Sequence, residues 1–274
     1  MMRLWQNIMM ARETLRILRS RTYNIDGKAV ALPDADFDKA DICGGGHPFP
    51  DDLVCPCNSV GARLEVSRLD SFDAARGMSK PLVLNFANAH WPGGGFKLGA
   101  SSQEESLCRR STLYLSLRSP EASRMYRYNN LHPSCLESNL MVLSPYVCVF
   151  RSSGGDLLRH PYMTSVISVP APNLRGLGFF ASDRRVREGL LAKIRILLTE
   201  AHRHQYKEIV LGAWGCGAFG NSPEVVADCF RMELIDYGWI RHFDKVVFAI
   251  KEEKRGRNFA QFCRVFDDCA GVVQ

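Results

Sequence analysis

Between an apolar run, PLVLNFA from Pro81, and a charged run that opens QEESLCRR at Gln103 lies NAHWPGGGFKLGASS, which carries three glycines in succession, Gly93, Gly94 and Gly95. The continuous apolar character of the first run predicts a strand and the spacing of the second a helix, over residues 103–117. A strand that enters a helix through a glycine loop is the unit of an α/β fold. Without a Cβ the three glycines can adopt positive φ and let the backbone come close to a ligand. Ser102 and Glu105 have the spacing of a capping box, in which the serine hydroxyl and the glutamate side chain each satisfy a backbone N–H at the helix start. The competing reading is that Glu104 and Glu105, fixed at the edge of the loop, face whatever the glycines admit.

The remainder of the chain agrees with one sizeable α/β protein. It has 274 residues, of which 46% are hydrophobic and 23% charged, enough for a substantial core. The first residues, MMRLWQNIMMARETLRILRS, are amphipathic at helical spacing, and the charges at Arg12 and Glu13 rule out the apolar core of a signal peptide. After Tyr23 the pattern fades into a segment rich in Pro, Gly and Asp, read as loop. RLEVSR from Arg63, MVLSPYVCVFR from Met141, MTSVISVPAPN from Met163, EIVLGA from Glu208 and DKVVFAI from Asp244 read as strands. Helices are expected over residues 182–205, with Arg184, Arg185, Arg187, Lys193 and Arg195 as a solvated basic face, and at NFAQFCRVF near the C-terminus. Asp70 or Ser71 is the expected cap of a short helix at SFDAARGM.

The net charge of +6 suits an anionic partner, but the basic residues are scattered and no nucleic-acid-binding patch is expected. Ten cysteines in a chain without a signal peptide are read as buried thiols of an intracellular, cytoplasmic protein. Cys43, His47, Cys55 and Cys57 offer zinc donors, but Cys-x-Cys is unlike the usual Cys-x2-Cys knuckle, so no metal and no cofactor are expected. No run has the apolar length of a membrane span.

A second glycine loop follows EIVLGA. Gly215-Cys216-Gly217-Ala218-Phe219-Gly220 has the spacing GxGxxG and precedes a helix capped by Ser222, with Pro223 at its first position. A Rossmann domain would have to start here, yet too little chain remains for its other strands, and the acid of the next strand, Glu252, lies well beyond the usual spacing. The backbone N–H groups of such a loop bind a diphosphate in either fold.

The ordered combination of GGG, seven residues and QEE, with NFANA before and ESLCRRSTLY after, resembles the signature of bacterial-type poly(ADP-ribose) glycohydrolases, a macrodomain-like family. ARETLRIL, SPYVCVFR, SVPAPN and LGAWGCGAFGNSPEVVA extend the resemblance along the chain. The resemblance implies an α/β fold with a macrodomain-like mixed central sheet flanked by helices. A helical N-terminal extension over residues 1–60 would pack on a catalytic domain over 61–274. It implies hydrolysis of ribose–ribose bonds in poly(ADP-ribose), with Glu105 as general acid/base and Glu104 on the ribose hydroxyls. Gly93, Gly94, Gly95, Gln103, Asn88 and the loop Gly215, Cys216, Gly217, Ala218, Phe219 and Gly220 would bind substrate. Phe219 would lie on the distal ribose and Asp70 would hold the adenine amino group. His90 has no counterpart, and Trp214 is read as core. The expected partners are poly(ADP-ribose) or ADP-ribosylated proteins, with ADP-ribose as product and the chain a monomer. A non-catalytic ADP-ribose reader would need the glycine loops but not the acids; a mono-ADP-ribosyl-protein hydrolase would share fold and ligand.

Overall fold

The chain is described from a computed structural model, over residues 2–44, 63–175, 181–252 and 256–267. Its centre is a mixed sheet. Strands β3 (Asp41–Cys43), β4 (Arg63–Ser67), β5 (Pro81–Ala87), β6 (Met141–Arg151), β7 (Leu157–Pro170), β8 (Glu208–Leu211) and β9 (Lys245–Ala249) are ordered β3-β6-β7-β5-β8-β9-β4. From β7 to β4 every neighbouring pair is parallel; β3, β6 and β7 pair antiparallel. Both faces are buried, which is why the parallel strands read as continuous apolar runs.

Alternation along each strand divides the core in two. Leu82, Leu84, Ile209, Leu211, Val246 and Phe248 face a layer made with α6 (Asp183–Arg203), α7 (Pro223–Arg231) and α8 (Asn258–Phe266). Val83, Val210, Val147 and Val149 face the other layer, with α1 (Met2–Ser20), α2 (Ser71–Ala75), α3 (Gln103–Arg110), α4 (Leu113–Leu117) and α5 (Ser123–Leu131). Trp214 is core, as its sequence context suggested: it is buried, and its indole N–H donates to the Val169 carbonyl at 2.9 Å.

Several sequence expectations are corrected. The segment after Tyr23 contains a hairpin, β1 (Thr22–Ile25) with β2 (Lys28–Ala31), closed at Asp26 and Gly27, both with positive φ. Asp-Gly is a two-residue hairpin signal. Strand β3 lies in the same stretch and joins the sheet through β6; a boundary near residue 60 falls outside the described residues. The helix expected over 103–117 breaks after Arg110. Ser111 turns extended and bridges Val149, while the Thr112 N–H donates to the Cys148 carbonyl at 3.0 Å and the Cys148 N–H to the Thr112 hydroxyl at 2.9 Å. Lys193 is no part of a solvated face: it is buried and donates to the Ser138 carbonyl, and burial lowers its pKa to about 7.

Helix α1 docks on the loop before α3. The Asn7 amide donates to the Gly99 carbonyl at 3.0 Å and the Thr14 hydroxyl to the Arg109 carbonyl at 2.6 Å. Gly99 has φ +86°, and a Cβ there would stand 2.8 Å from both the Leu4 carbonyl oxygen and its Cδ1. Gly99→Ala is therefore expected to cost at least ~1 kcal/mol and to loosen α1. A lowered urea midpoint with earlier proteolysis inside α1 checks this; an unchanged midpoint would refute the docking.

Candidate active site

The parallel strands β5, β8 and β9 end together, and at their carboxyl ends opens a cleft of about 1750 Å³. Such an edge is where open α/β sheets bind ligands. Phe86, Ala213 and Ala249 to Lys251 form one side, α3 the floor and α1 the opposite wall.

Glu104 and Glu105 occupy the first turn of α3, and both line the cleft although they are 3% and 8% exposed. The expected capping box is absent, because the Ser102 side chain makes no capping hydrogen bond. Glu105 turns away from its own helix instead: its Oε1 accepts from the Gly95 N–H at 3.0 Å. Its Oε2 is buried without a hydrogen-bond partner. Glu104 Oε2 accepts from the Asn88 N–H at 2.8 Å and Oε1 from the Asn85 amide at 3.3 Å.

The triple glycine is explained by these acids. Gly93 and Gly94 have positive φ, and a Cβ on Gly94 would sit 2.4 Å from Glu105 Oε1 and 3.2 Å from Glu104 Oε2. Gly93, Gly94 and Gly95 are not among the residues lining the cleft. Their backbone packs behind the carboxylates, so the close approach that glycine permits is to protein oxygens.

Gln103 also differs from expectation. Its Oε1 accepts from the Phe86 N–H at 2.9 Å, and its Nε2 donates to the Ser71 hydroxyl and the Leu84 carbonyl. Both ends of the amide are occupied by protein, so Gln103 pins α3 to β5 and α2. Asn88 lines the cleft, with Oδ1 accepting from the N–H groups of His90 and Trp91. His90 does not line the cleft; its ring meets Asn130 at 2.9 Å and Glu137 at 3.4 Å.

Asp70 caps α2, its Oδ1 accepting from the N–H groups of Phe72 and Asp73 and from Arg110 at 2.7 Å. Burial would raise its pKa, but the Arg110 guanidinium and the Asp73 N–H hold it below the usual carboxylate range. Asp70 Oδ2 is buried with no hydrogen-bond partner, the Lys251 ammonium standing 3.7 Å from it, and Asp70 lines the cleft.

In the second glycine loop Gly215, Gly217, Ala218 and Phe219 line the cleft; Cys216 and Gly220 do not. The Cys216 thiol packs toward the core and reaches the Trp214 carbonyl at 3.7 Å, and burial pushes it up to about 12. Gly220 lies against the Arg175 side chain. The amides of Gly217, Ala218 and Phe219 have no hydrogen-bond partner among the described residues. Three successive N–H groups without an acceptor among the described residues have the arrangement that suits an anion. Gly215 is required where it stands, at φ +73°, since a Cβ would meet Asn221 at 2.6 Å.

Other residues of the cleft were not singled out from the sequence. Arg110, whose guanidinium also reaches Asp73 and the Arg151 carbonyl, and α1 residues from Arg3 to Arg16 form much of the wall. Only tertiary packing brings them there. Of the zinc set weighed from the sequence, Cys43 lies in β3 and His47, Cys55 and Cys57 fall outside the described residues.

An α/β protein with a buried carboxylate pair beside an anion cradle at one sheet edge is thus defined by geometry alone. Residues 11–152 match the family described as microbial-type PARG, catalytic domain, and the chain belongs to this family of poly(ADP-ribose) glycohydrolases. The structure of the Thermomonospora curvata poly(ADP-ribose) glycohydrolase is similar over 95% of this chain and 99% of that one, with 33% identity and a TM-score of 0.85. The same enzyme bound to the inhibitor ADP-HPD aligns with 34% identity over 94% and 98% of the two chains, TM-score 0.83. The Deinococcus radiodurans enzyme in complex with ADP-ribose aligns with 36% identity over 77% and 86%, TM-score 0.71. No curated protein matches the sequence. Among the described residues no helix is long and apolar enough to cross a membrane.

Burial, with the neighbouring Glu105 carboxylate adding to it, raises Glu104 to about 8 against the hydrogen bonds from Asn88 and Asn85. Rotating the Asn85 amide by half a turn would bring its buried, unpartnered Oδ1 onto the Glu104 proton. From its ordinary value of 4.5 up to about 8, the folded chain keeps a proton that the unfolded chain has released, so stability falls as pH rises through that window. Glu104→Gln stays neutral and should flatten this slope. Urea midpoints of both proteins across that range test it; parallel curves would show that Glu104 is ionised in the folded chain.

Proposed function

We propose that the chain hydrolyses the ribose–ribose O-glycosidic bond of poly(ADP-ribose) and releases ADP-ribose, with Glu105 as the general acid and base. The observation that carries this is the Glu105 carboxylate: one oxygen is fixed by the Gly95 N–H, and the other is buried in the cleft without a partner. A buried polar atom left unpartnered is costly and is accounted for if substrate supplies the partner.

Cleavage passes through an oxocarbenium-like transition state in which the leaving oxygen must gain a proton and water must lose one. Glu105 would protonate the leaving ribose oxygen and then, as carboxylate, take the proton of the attacking water. Glu104 would hold the hydroxyls of the distal ribose. The free amides of Gly217, Ala218 and Phe219 would hold the diphosphate, and the Phe219 ring would lie on the distal ribose. At the other end Asp70 Oδ2 would accept from the adenine amino group, since its Oδ1 is occupied by the helix cap and Arg110. Ligand contacts by Gly93 to Gly95 and Gln103 have less support, because their polar and steric roles are already taken within the protein.

Release of ADP-ribose from purified poly(ADP-ribose) tests the reading. Glu105→Gln is expected to lose roughly two to four orders of magnitude in turnover while still binding ADP-ribose; near-normal turnover would remove Glu105 from the chemistry. Phe219→Ala is expected to slow release by up to ~10²-fold through misplacement of the ribose, and an unchanged rate would reduce the ring to packing. Binding of ADP-ribose with no release by the unaltered protein would instead mark a reader or a hydrolase of single ADP-ribose units.

A further inference from the structure

None of the residues at the β3 edge of the sheet, where Cys43 meets the last turn of α6, lines the cleft. Here the Cys43 sulfur, a Glu200 carboxylate oxygen and a His204 ring nitrogen all lie within 4.8 Å of one another. Cys43 and Glu200 are buried, 5% and 4% exposed, whereas the His204 side chain is 38% exposed and gives an ion a way in. Glu200 and His204 are four residues apart on one helical face, with Glu200 Oε2 and His204 Nε2 separated by 3.8 Å.

We propose that Cys43, Glu200 and His204 bind a single zinc ion that ties edge strand β3 to α6. Thiolate, carboxylate and imidazole are the three donor types zinc takes from proteins, and three protein ligands leave the fourth position to water. The negative end of α6 favours a cation at this turn. A pair of cations opposes it: Arg203 donates to Glu200 Oε1 at 3.1 Å and Oε2 at 3.3 Å, and Lys80 donates to the His204 carbonyl at 3.4 Å. Against them stand Glu200 itself and Asp41, which shares a strand face with Cys43 and acts on it electrostatically. Arg203 holds the Glu200 carboxylate from outside, as hydrogen-bonded partners do for ligating carboxylates. The three donor atoms lie within 4.8 Å of one another, so little rearrangement is needed to close them on an ion. The set shares only Cys43 with the sequence grouping that was set aside.

The test uses the full chain, freed of metal with a chelator and titrated with zinc alone, then with cobalt(II), whose thiolate charge-transfer absorption reports sulfur ligation. One equivalent bound per chain, a cobalt–thiolate band and a higher melting temperature with zinc are expected. His204→Ala, which alters a partly exposed side chain, and the near-isosteric Glu200→Gln should each weaken binding by at least ~10–100-fold, and Cys43→Ser should abolish the band. Absence of stoichiometric binding, unchanged affinity in His204→Ala, or a band that survives Cys43→Ser would overturn the proposal.

Discussion

Two carboxylates are buried side by side in this protein because Gly94 has no Cβ. The space a methyl group would fill is taken by Glu105 Oε1 and Glu104 Oε2, and the N–H groups of Gly95 and Asn88 satisfy one oxygen of each. Burying an acid without such donors would cost several kcal/mol. Much of the surrounding structure serves to keep that arrangement in place. Gln103 ties the start of α3 to the backbone of β5, Asn85 reaches Glu104 from within β5 and is itself held to Ser168 on β7, and α1 closes over Gly99. The acids sit on a rigid floor, and the one oxygen left over is the one assigned to chemistry.

A second network fixes the mouth of the cleft. Arg110 is buried and divides its donors among Asp70, Asp73 and the Arg151 carbonyl, while Arg151 reaches Glu13 on α1 at 2.8 Å. Three helices and β6 are thereby joined through charged groups. Arg110 keeps one carboxylate if the other is lost, whereas losing Arg110 itself would deprive the partly buried Asp70 of its nearest guanidinium, the more damaging change. The same contacts take one oxygen of Asp70 and leave the other in the cleft, so helix capping and ligand recognition do not compete for a single atom.

Strands β4 to β9, the caps at Asp70 and Ser222 and the family signature were legible in the sequence because each depends on neighbours a few residues away. The hairpin at Asp26-Gly27 was equally local and was missed only because the surrounding composition reads as loop. What could not be read is non-local. Nothing in Ser102-Gln103-Glu104-Glu105 says that Glu105 will bond to Gly95 in preference to its own cap, because the choice depends on where the preceding loop folds back. The same holds for Lys193, which follows the helical pattern of a solvated face yet is buried by the segment around Ser138, and for Arg110, whose carboxylate partners lie about forty residues earlier.

The two glycine loops show how one residue type serves opposite ends. In the first, glycine makes room: protein oxygens fill the space beside Gly94, and the three glycines themselves do not line the cleft. In the second, the chain turns at Gly215, forced there by Asn221, and the next three amides to line the cleft find no acceptor among the described residues. One loop therefore positions negative charge and the other is built to receive it. A molecule carrying a diphosphate at one place and a ribosyl bond at another meets both within one cleft. Because β5 and β8 are adjacent parallel strands, the two loops open at neighbouring positions on the same edge of the sheet.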